Sequence, residues 1–289
     1  MHDIDNQMLN VVSRFCDDFS DQVTALVACV PDSDERYTFS DYDHDLRHLH
    51  AETHRLCGAA HCMGFLKVGR ELERFDREVT GLIGNGKERI ERTLPALKRR
   101  LEAIRTEYAW ISPARSKLLN RSSALEELER AEGDQELMRS SEMARQRLLS
   151  RERILFADDD LYVRELINMT LIEIGVGDIV TVGSGRELLD SLSDFQPTLI
   201  ISDCQMAPIS GLEVLKRIRA GQTAIDEQTP VIFFTAERDR RKASEANKNG
   251  ISELLYKPLL PSEVTDAVLH VIGRRFYMNK SAALRRSRH

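Results

Sequence analysis

Carboxylates, one hydroxyl and one lysine follow short apolar runs in the second half of the chain. Asp158 and Asp159 come directly after RILFA, and Asp203 follows TLIIS. Thr235 follows VIFF, and Lys257 follows ELLY. At the carboxyl ends of parallel strands, such side chains would face one pocket. Clustered carboxylates repel each other unless a cation joins them, and Mg²⁺ prefers oxygen ligands. The pattern therefore predicts a phosphoryl pocket, because phosphoryl transfer needs mainly positioning and neutralised charge.

A second candidate site is a stretch rich in histidine. Its members are His44, His48, His50, His54 and His61. At helical spacing His54 faces away from the apolar side. The same outer stripe carries Arg47, His50, Cys57 and His61. Gly58, one turn further on, would leave open space beside the imidazole of His54. A neutral imidazole is a competent nucleophile near neutral pH, so an exposed His54 could carry a phosphoryl group.

The elements that would position the acidic residues alternate after residue 152. Strands are predicted at 153–157, 178–182, 198–202, 231–234 and 253–256. Helical patterns lie near 161–174, 185–193, 211–220, 239–249 and 261–275. Five βα units in succession predict a doubly wound, five-stranded parallel sheet of flavodoxin-like type.

The first part of the chain shows helical periodicity only. Four segments, at about 4–30, 41–66, 67–83 and 87–111, predict an all-α antiparallel four-helix bundle. We thus expect a multi-domain protein. Its parts would be a bundle at 1–112, a helical linker at 113–150, an α/β domain at 151–275 and a basic tail at 276–289. A homodimer through the linker is one further expectation.

Composition narrows the classes of function. The 289 residues are 42% hydrophobic and 30% charged, as in ordinary globular proteins, and carry a formal net charge of −6. That charge argues against a whole-chain nucleic-acid binder, and no DNA-reading motif accompanies the basic tail. No apolar run reaches the roughly 18 residues of a membrane span. The N-terminus also lacks the basic-then-apolar pattern of a secretory signal, so we expect a cytoplasmic protein without membrane association. Five cysteines are an odd number in a long chain, so we expect reduced thiols.

The α/β part resembles the receiver domain of two-component response regulators. The motifs ADDD, SDCQMAPISG, FFTA and LLYKP occur in the family's order. The resemblance implies that Asp203 is the phosphoacceptor and that Thr235 and Lys257 contact the phosphoryl group. The implied Mg²⁺ ligands are Asp158, Asp159, Asp203 and the Gln205 carbonyl. In the alternative, the domain kept the fold and lost the reaction, its strand-end Asp being a helix cap and Lys257 a surface charge.

Two positions depart from the receiver pattern. The family usually has proline four residues after the acceptor, where this chain has Ala207, followed by Pro208. The aromatic residue that the family places three before the lysine is Leu254 here. The resemblance implies that phosphorylation survives both changes.

The stretch HRLCGAAHCMG, residues 54–64, resembles the histidine phosphotransfer (HPt) motif. His54, Leu56, Gly58 and Gly64 match, and Cys57 stands where the family usually has lysine. The resemblance implies that His54 is a second phosphoacceptor, with Arg47 or Arg55 replacing the lysine charge. One alternative is a solvated, histidine-rich helix face. Another is a Zn²⁺ or haem site at His50, His54, Cys57 and His61.

Together the two resemblances imply a phosphorelay protein that passes phosphoryl groups through His54 and Asp203. No ATP-binding kinase domain is identified, so we expect a phosphotransfer protein and not an enzyme in its own right. Its partners would be a sensor histidine kinase or other receiver domains. The alternative is an adaptor in which Asp203 controls partner binding by the bundle and His54 is not phosphorylated.

Overall fold

A computed structural model describes residues 2–33, 36–109, 111–119, 143, 145–235, 240–257 and 261–286. The chain divides into two compact units, residues 1–130 and residues 131–289. The first unit is helical, and the second contains the sheet, as the sequence predicts. No helix in the described ranges is long and apolar enough to cross a membrane.

Four helices form the N-terminal unit. They are α1 (His2–Cys29), α2 (Phe39–Cys62), α3 (Leu66–Thr80) and α4 (Lys87–Glu107). The hydroxyl of Thr38 accepts from the amide of Asp41 while the Asp41 carboxylate accepts from the amide of Thr38, a capping box that fixes the start of α2. Helix α2 ends four residues earlier than predicted, because Gly64 turns the chain with a φ of +82°.

The core of this unit is made by the apolar stripes of all four helices. Helix α2 packs most extensively against α3, and α1 packs against α4 and α2. The rings of Phe15 and Phe65 stack with centroids 5.7 Å apart. Fully buried members of the core include Phe15, Phe19, Leu46, Leu49, Leu72, Phe75, Ile90 and Leu101. The predicted four-helix bundle is confirmed.

The segment after α4 folds back on the turn between α2 and α3. A 3₁₀ turn (Pro113–Arg115) precedes Ser116, which is completely buried and donates to the Met63 carbonyl at 2.7 Å. The Lys117 amide donates to the Gly64 carbonyl at 3.2 Å. The predicted boundary at residue 112 falls inside this packed segment. Residues 120–142 and residue 144, most of the predicted linker and its dimer contact, lie outside the described residues.

The second unit holds one parallel sheet in the order β2-β1-β3-β4-β5. Its strands are β1 (Arg153–Ala157), β2 (Asp178–Val182), β3 (Leu199–Asp203), β4 (Val231–Thr235) and β5 (Glu253–Tyr256). Its helices are α5 (Leu161–Glu173), α6 (Gly185–Phe195), α7 (Gly211–Arg219), α8 (Arg240–Lys248) and α9 (Pro261–Arg286). The predicted doubly wound sheet is confirmed.

The central strands β3 and β4 are buried at every residue, because helices cover both faces of the sheet. One core cluster joins the sheet to α6 and α7; its members include Leu155, Leu188, Ile200, Leu215 and Phe233. Helix α9 continues through most of the predicted basic tail, to Arg286. The five cysteines are free thiols.

Candidate functional site

Three consecutive aspartates follow β1, and they differ in burial and in the groups that they contact. Asp158 is completely buried and its Oδ1 accepts from the amide of Asp160 at 2.9 Å. Asp159 is half-buried and belongs to the acidic pocket described below. Asp160 caps α5, since its Oδ1 accepts from the amides of Tyr162 and Val163 at 2.9 and 3.2 Å. The helix-cap alternative therefore holds for Asp160 only.

Asp203 ends β3 and meets the lysine that follows β5. The Nζ of Lys257 lies 2.7 Å from Oδ2 of Asp203 and 2.8 Å from Oδ2 of Asp158. The other Asp203 oxygen, Oδ1, accepts from the amide of Gln205 at 2.9 Å. At most 4% of each of the three charged side chains is exposed. Lys257 is therefore a buried bridge between two carboxylates and not a surface charge.

Thr235 ends β4 next to this pair. It is buried, and its carbonyl accepts from the Lys257 amide at 2.8 Å, which holds the lysine backbone against the end of β4. The structure thus brings Thr235, Lys257 and Asp203 to one edge of the sheet. Residues 236–239 and 258–260, which complete the FFTA and LLYKP motifs, lie outside the described residues. The metal-ligand role of the Gln205 carbonyl stays a prediction.

The carboxylates of Asp158, Asp159 and Asp203 offer oxygen atoms that all lie within 4.8 Å of one another. Burial raises the pKa of Asp158 to about 7; Lys257 opposes this rise, while Asp203 and Asp159 add to it. Three carboxylates around a single ammonium group leave an excess of negative charge. A hard divalent cation with oxygen ligands fits this donor set, so the residues present suit Mg²⁺.

The start of α7 packs closely against the backbone of β3 at Asp203. A Cβ atom on Gly211, the first residue of α7, would lie 2.1 Å from the Asp203 carbonyl oxygen and 2.7 Å from the Ser202 hydroxyl. Only glycine allows α7 to begin so close to β3. Leu254, at the position where receivers usually have an aromatic residue, packs half-buried against the sheet core.

The histidine stretch is less open than the sequence predicts. Only 15% of the His54 side chain is exposed, and its Nε2 atom is buried. Gly58, Cys57 and His61 are buried as well. The prediction of an outer stripe with open space beside His54 is therefore wrong for Cys57, Gly58 and His61, whereas Arg47 is exposed and His50 is about a third exposed. The physical reason is α3, which covers the face of α2 that a single-helix projection assigns to solvent.

Helix α3 supplies a residue that the motif search missed. Oδ1 of Asp76 lies 2.7 Å from Nδ1 of His50, and Oδ2 lies 3.7 Å from Nδ1 of His54. Burial alone would raise the pKa of Asp76, but His50 and His54 outweigh it and hold that pKa below its ordinary value. Asp76 follows the buried Phe75 directly, and an acid on the flank of an apolar stripe is the one signal that could have marked it.

Cys57 and His61 are tied to backbone groups. Nδ1 of His61 lies 3.0 Å from the Cys57 carbonyl oxygen, and Sγ of Cys57 donates to the Gly69 carbonyl at 3.3 Å. A Cβ on Gly69 would lie 2.6 Å from the His61 ring, so α3 approaches it as closely as glycine permits. Within the described ranges, the pocket of Asp158, Asp159 and Asp203 is the only group of three or more metal-ligating side chains. The four residues of the Zn²⁺ alternative, His50, His54, Cys57 and His61, do not form such a group.

The strand order, the helices on both faces and the acidic pocket at the strand ends define an α/β fold of the CheY-like receiver type. Residues 154–269 match the family model of the response regulator receiver domain, so this part of the chain is a receiver domain. The match lies entirely within the second unit.

Two named relatives show how far the similarity extends. The chemotaxis protein CheY homolog of Campylobacter jejuni is 29% identical over 122 residues, which are 42% of this chain and 92% of that protein. The DNA-binding response regulator MtrA of Mycobacterium tuberculosis is 27% identical over 118 residues, 41% of this chain and 49% of that protein. Both alignments cover a receiver-sized part of this chain.

Solved structures give the same coverage. Vibrio cholerae chemotaxis protein CheY4 is 28% identical, covers 42% of this chain and 98% of its own, and has a TM-score of 0.39. The receiver domain of the Francisella response regulator 1452 is 26% identical, covers 43% and 99%, and has a TM-score of 0.40.

Proposed function

We propose that this protein acts in two-component signalling and that Asp203 is its phosphoacceptor. The observation that carries the proposal is the bridge of Lys257 between Asp203 and Asp158, inside a pocket of three carboxylates. The similarity of this unit to receiver domains supports it. The phosphodonor would be a phosphorylated histidine on a sensor kinase or on a phosphotransfer protein.

The chemistry follows from the positions of the side chains. An oxygen of the Asp203 carboxylate would attack the donor phosphorus, forming a P–O bond while the P–N bond breaks and the donor imidazole leaves with the electron pair. The Lys257 ammonium, already beside Asp203, would offset charge on the transferred group, and the Thr235 hydroxyl would hydrogen-bond to it. Mg²⁺ bound by Asp158, Asp159, Asp203 and the Gln205 carbonyl would neutralise further negative charge on the phosphoryl oxygens.

Phosphorylation of the purified full-length chain tests this assignment. With a small phosphoramidate donor and Mg²⁺, the wild type and the control Asp190→Asn should become labelled, since Asp190 is exposed on α6. Asp203→Asn should remain unlabelled, and chelation of Mg²⁺ should abolish labelling of the wild type. Undiminished label on Asp203→Asn would contradict the proposal.

For the N-terminal unit, the burial of His54 favours the adaptor. In this role, phosphorylation of Asp203 changes how the bundle binds a partner protein, and His54 is not phosphorylated. With 15% of the side chain exposed and Nε2 buried, the described bundle leaves an incoming phosphoryl group little access to this ring.

The phosphorelay remains a second candidate because of Asp76. Its carboxylate faces the Nδ1 atoms of His50 and His54, and an acid in that position orients an imidazole and stabilises its cationic form. In a relay, an imidazole nitrogen of His54 would attack the phosphorus of a phosphorylated aspartate. The P–N bond would form as the P–O bond breaks, and the carboxylate would leave. The ring would first have to become accessible.

One labelling experiment separates the two candidates. The chain is incubated with a phosphorylated receiver, and acid-labile, base-stable label is measured on the wild type, His54→Gln and the control His48→Gln. His48 is an exposed histidine on the same helix. Label that disappears only with His54→Gln would establish the relay. Absence of label with every donor receiver, while a small phosphoramidate still labels Asp203, would leave the adaptor.

A further inference from the structure

A cavity of about 240 Å³ opens where the segment after α4 meets the start of α3. Its apolar wall is formed by Phe65, Val68, Tyr108 and Ile111. The volume is just below the roughly 300–1,000 Å³ of sites for drug-sized ligands, so the occupant must be small. The cavity lies in the N-terminal unit and is separate from the acidic pocket of the receiver.

Four cationic side chains line this cavity. Lys67 and Arg70 come from the first turns of α3, and Arg115 and Lys117 come from the segment that folds back over it. No carboxylate belongs to the described lining residues. All four residues are exposed to solvent, and positive charges drawn from two separate chain segments to one cavity would attract an anion to it.

Two acidic residues lie close to one wall of the cavity. Burial raises the pKa of the Tyr108 phenol, and Glu107 and Glu71 raise it further, which places both carboxylates near one wall. Arg70 acts on Tyr108 in the opposite direction. Among the described residues that line the cavity there are four cations and no carboxylate, so the lining itself is positively charged.

The two walls are locked together by buried contacts. The bonds from Ser116 to Met63 and from Lys117 to Gly64 join the two walls, and within the 116–119 segment the Leu119 amide donates to the Ser116 hydroxyl at 3.3 Å. The backbone at Leu118 comes so close that a Cβ on Gly64 would lie 2.4 Å from its nitrogen. The cavity is therefore preformed, which lowers the entropic cost of binding a ligand.

We propose that this cavity is a binding site for a small organic phosphate, whose phosphate meets the four cations while its apolar body lies against Phe65, Tyr108 and Ile111. Arginine forks and lysine ammonium groups are the side chains that bind phosphate in proteins. A carboxylate would carry too little charge for four cations, and inorganic phosphate would leave the apolar wall in water.

Titration with phenylphosphonate, which combines both features and cannot transfer a phosphoryl group, tests the site. The full-length chain is followed by the amide NMR signals of residues 64–70 and 115–117. We expect localised shifts there, and binding weakened at least about tenfold, or about 1.4 kcal/mol, in Lys67→Gln/Lys117→Gln. The matched control is Arg92→Gln/Arg99→Gln, which removes two exposed charges from α4 outside the cavity and should bind like the wild type.

Benzoate and inorganic phosphate are the comparison ligands. Both should bind more weakly than phenylphosphonate, benzoate because of its lower charge and phosphate because it has no apolar body. If benzoate binds as tightly as phenylphosphonate, the site does not select phosphate. If inorganic phosphate binds as tightly, the ligand needs no apolar organic part. Shifts spread over the surface, or equal weakening in both double variants, would show diffuse attraction of anions and overturn the site itself.

Discussion

Lys257 and Asp203 lie 54 positions apart in sequence, yet the lysine Nζ donates to Oδ2 of the aspartate at 2.7 Å. The same ammonium group reaches Asp158 at 2.8 Å. Such a bridge compensates two buried charges that would otherwise repel each other. The lysine is thus as much a structural counterion as a candidate for phosphoryl contact.

Lys257→Met should destabilise the receiver unit in the absence of divalent cations by about 3–5 kcal/mol, because it leaves buried carboxylates without their counterion. Millimolar Mg²⁺ should restore much of this loss, since the ion can replace the missing positive charge. Thermal unfolding of the full-length chain with chelator and with Mg²⁺ measures both effects.

The control is Lys216→Met, which breaks an exposed pair with Glu245 in the same unit. It should change the free energy of unfolding by less than about 1 kcal/mol, with or without Mg²⁺. Equal effects of the two variants, or a Lys257→Met protein insensitive to Mg²⁺, would contradict the acidic metal pocket.

Asp76→Asn tests the carboxylate beside His50 and His54 through pH. The folded-state pKa of Asp76 is held below its ordinary value, so the ionised group stabilises the fold above the unfolded pKa of about 3.9. This contribution is lost as pH falls through the lower folded pKa. We expect the stability advantage of the wild type over Asp76→Asn to be full at pH 6 and to shrink at pH 3.

Urea unfolding of both proteins at the two pH values gives that difference directly. Asp45→Asn, which removes a half-buried carboxylate from α2, is the control. An advantage of the wild type that grows as pH falls would mean that the neutral form of Asp76 is the stabilising one.

Gly64→Ala should destabilise the bundle more than Gly84→Ala, although both glycines have a φ of +82°. Each change places alanine in the left-handed region, which costs roughly 1–2 kcal/mol. At Gly84 the new methyl group meets nothing within 4 Å, whereas at Gly64 it meets the Leu118 nitrogen at 2.4 Å. Overpacking of this kind adds about 1–3 kcal/mol.

Hydrogen exchange of peptides from α2 and α3 reports this difference locally. Faster exchange in Gly64→Ala than in Gly84→Ala is the expected result. Equal exchange in the two variants would show that the 116–118 segment moves aside at little cost, and it would weaken the case for a preformed cavity.

Arg275→Met tests an ion pair at the base of the sheet, in which the glutamate is buried and the arginine is about a third exposed. Arg275 of α9 pairs with Glu152 and donates to the Thr198 carbonyl at 2.6 Å. Without the guanidinium, the Glu152 charge stays buried and uncompensated, at a cost of about 3 kcal/mol. Arg275→Met/Glu152→Gln should be more stable than Arg275→Met alone, which urea unfolding can measure. A double variant that is less stable would show that Glu152 needs no counterion.

The receiver fold could be predicted closely because its signals are local. Apolar runs bounded by Asp, Gly and Pro correspond to β1, β2 and β5 without error, and to β3 and β4 within one residue. The edge at which strands end follows from the rule for parallel sheets, so Asp158, Asp203 and Lys257 could be placed together before any coordinates.

The surroundings of His54 in the bundle could not be predicted in this way. A helical projection assumes one buried stripe, but α2 contacts three other helices and buries both Cys57 and His61. Asp76 faces His54 from a neighbouring helix, a relationship that no motif of consecutive residues contains. The phosphate cavity was missed for the same reason, because Lys67 and Lys117 meet only after the chain has folded back.

The pair of Glu152 and Arg275 has a consequence for the receiver as a module. Glu152 directly precedes β1, and Arg275 lies beyond the last residue of the receiver match, so the place where the chain comes into the domain lies beside the place where it leaves. Both lie at the opposite edge of the sheet from Asp203. A domain whose two ends are adjacent can be inserted into another protein or circularly permuted. The joined ends would then lie away from the edge of the sheet that carries Asp203.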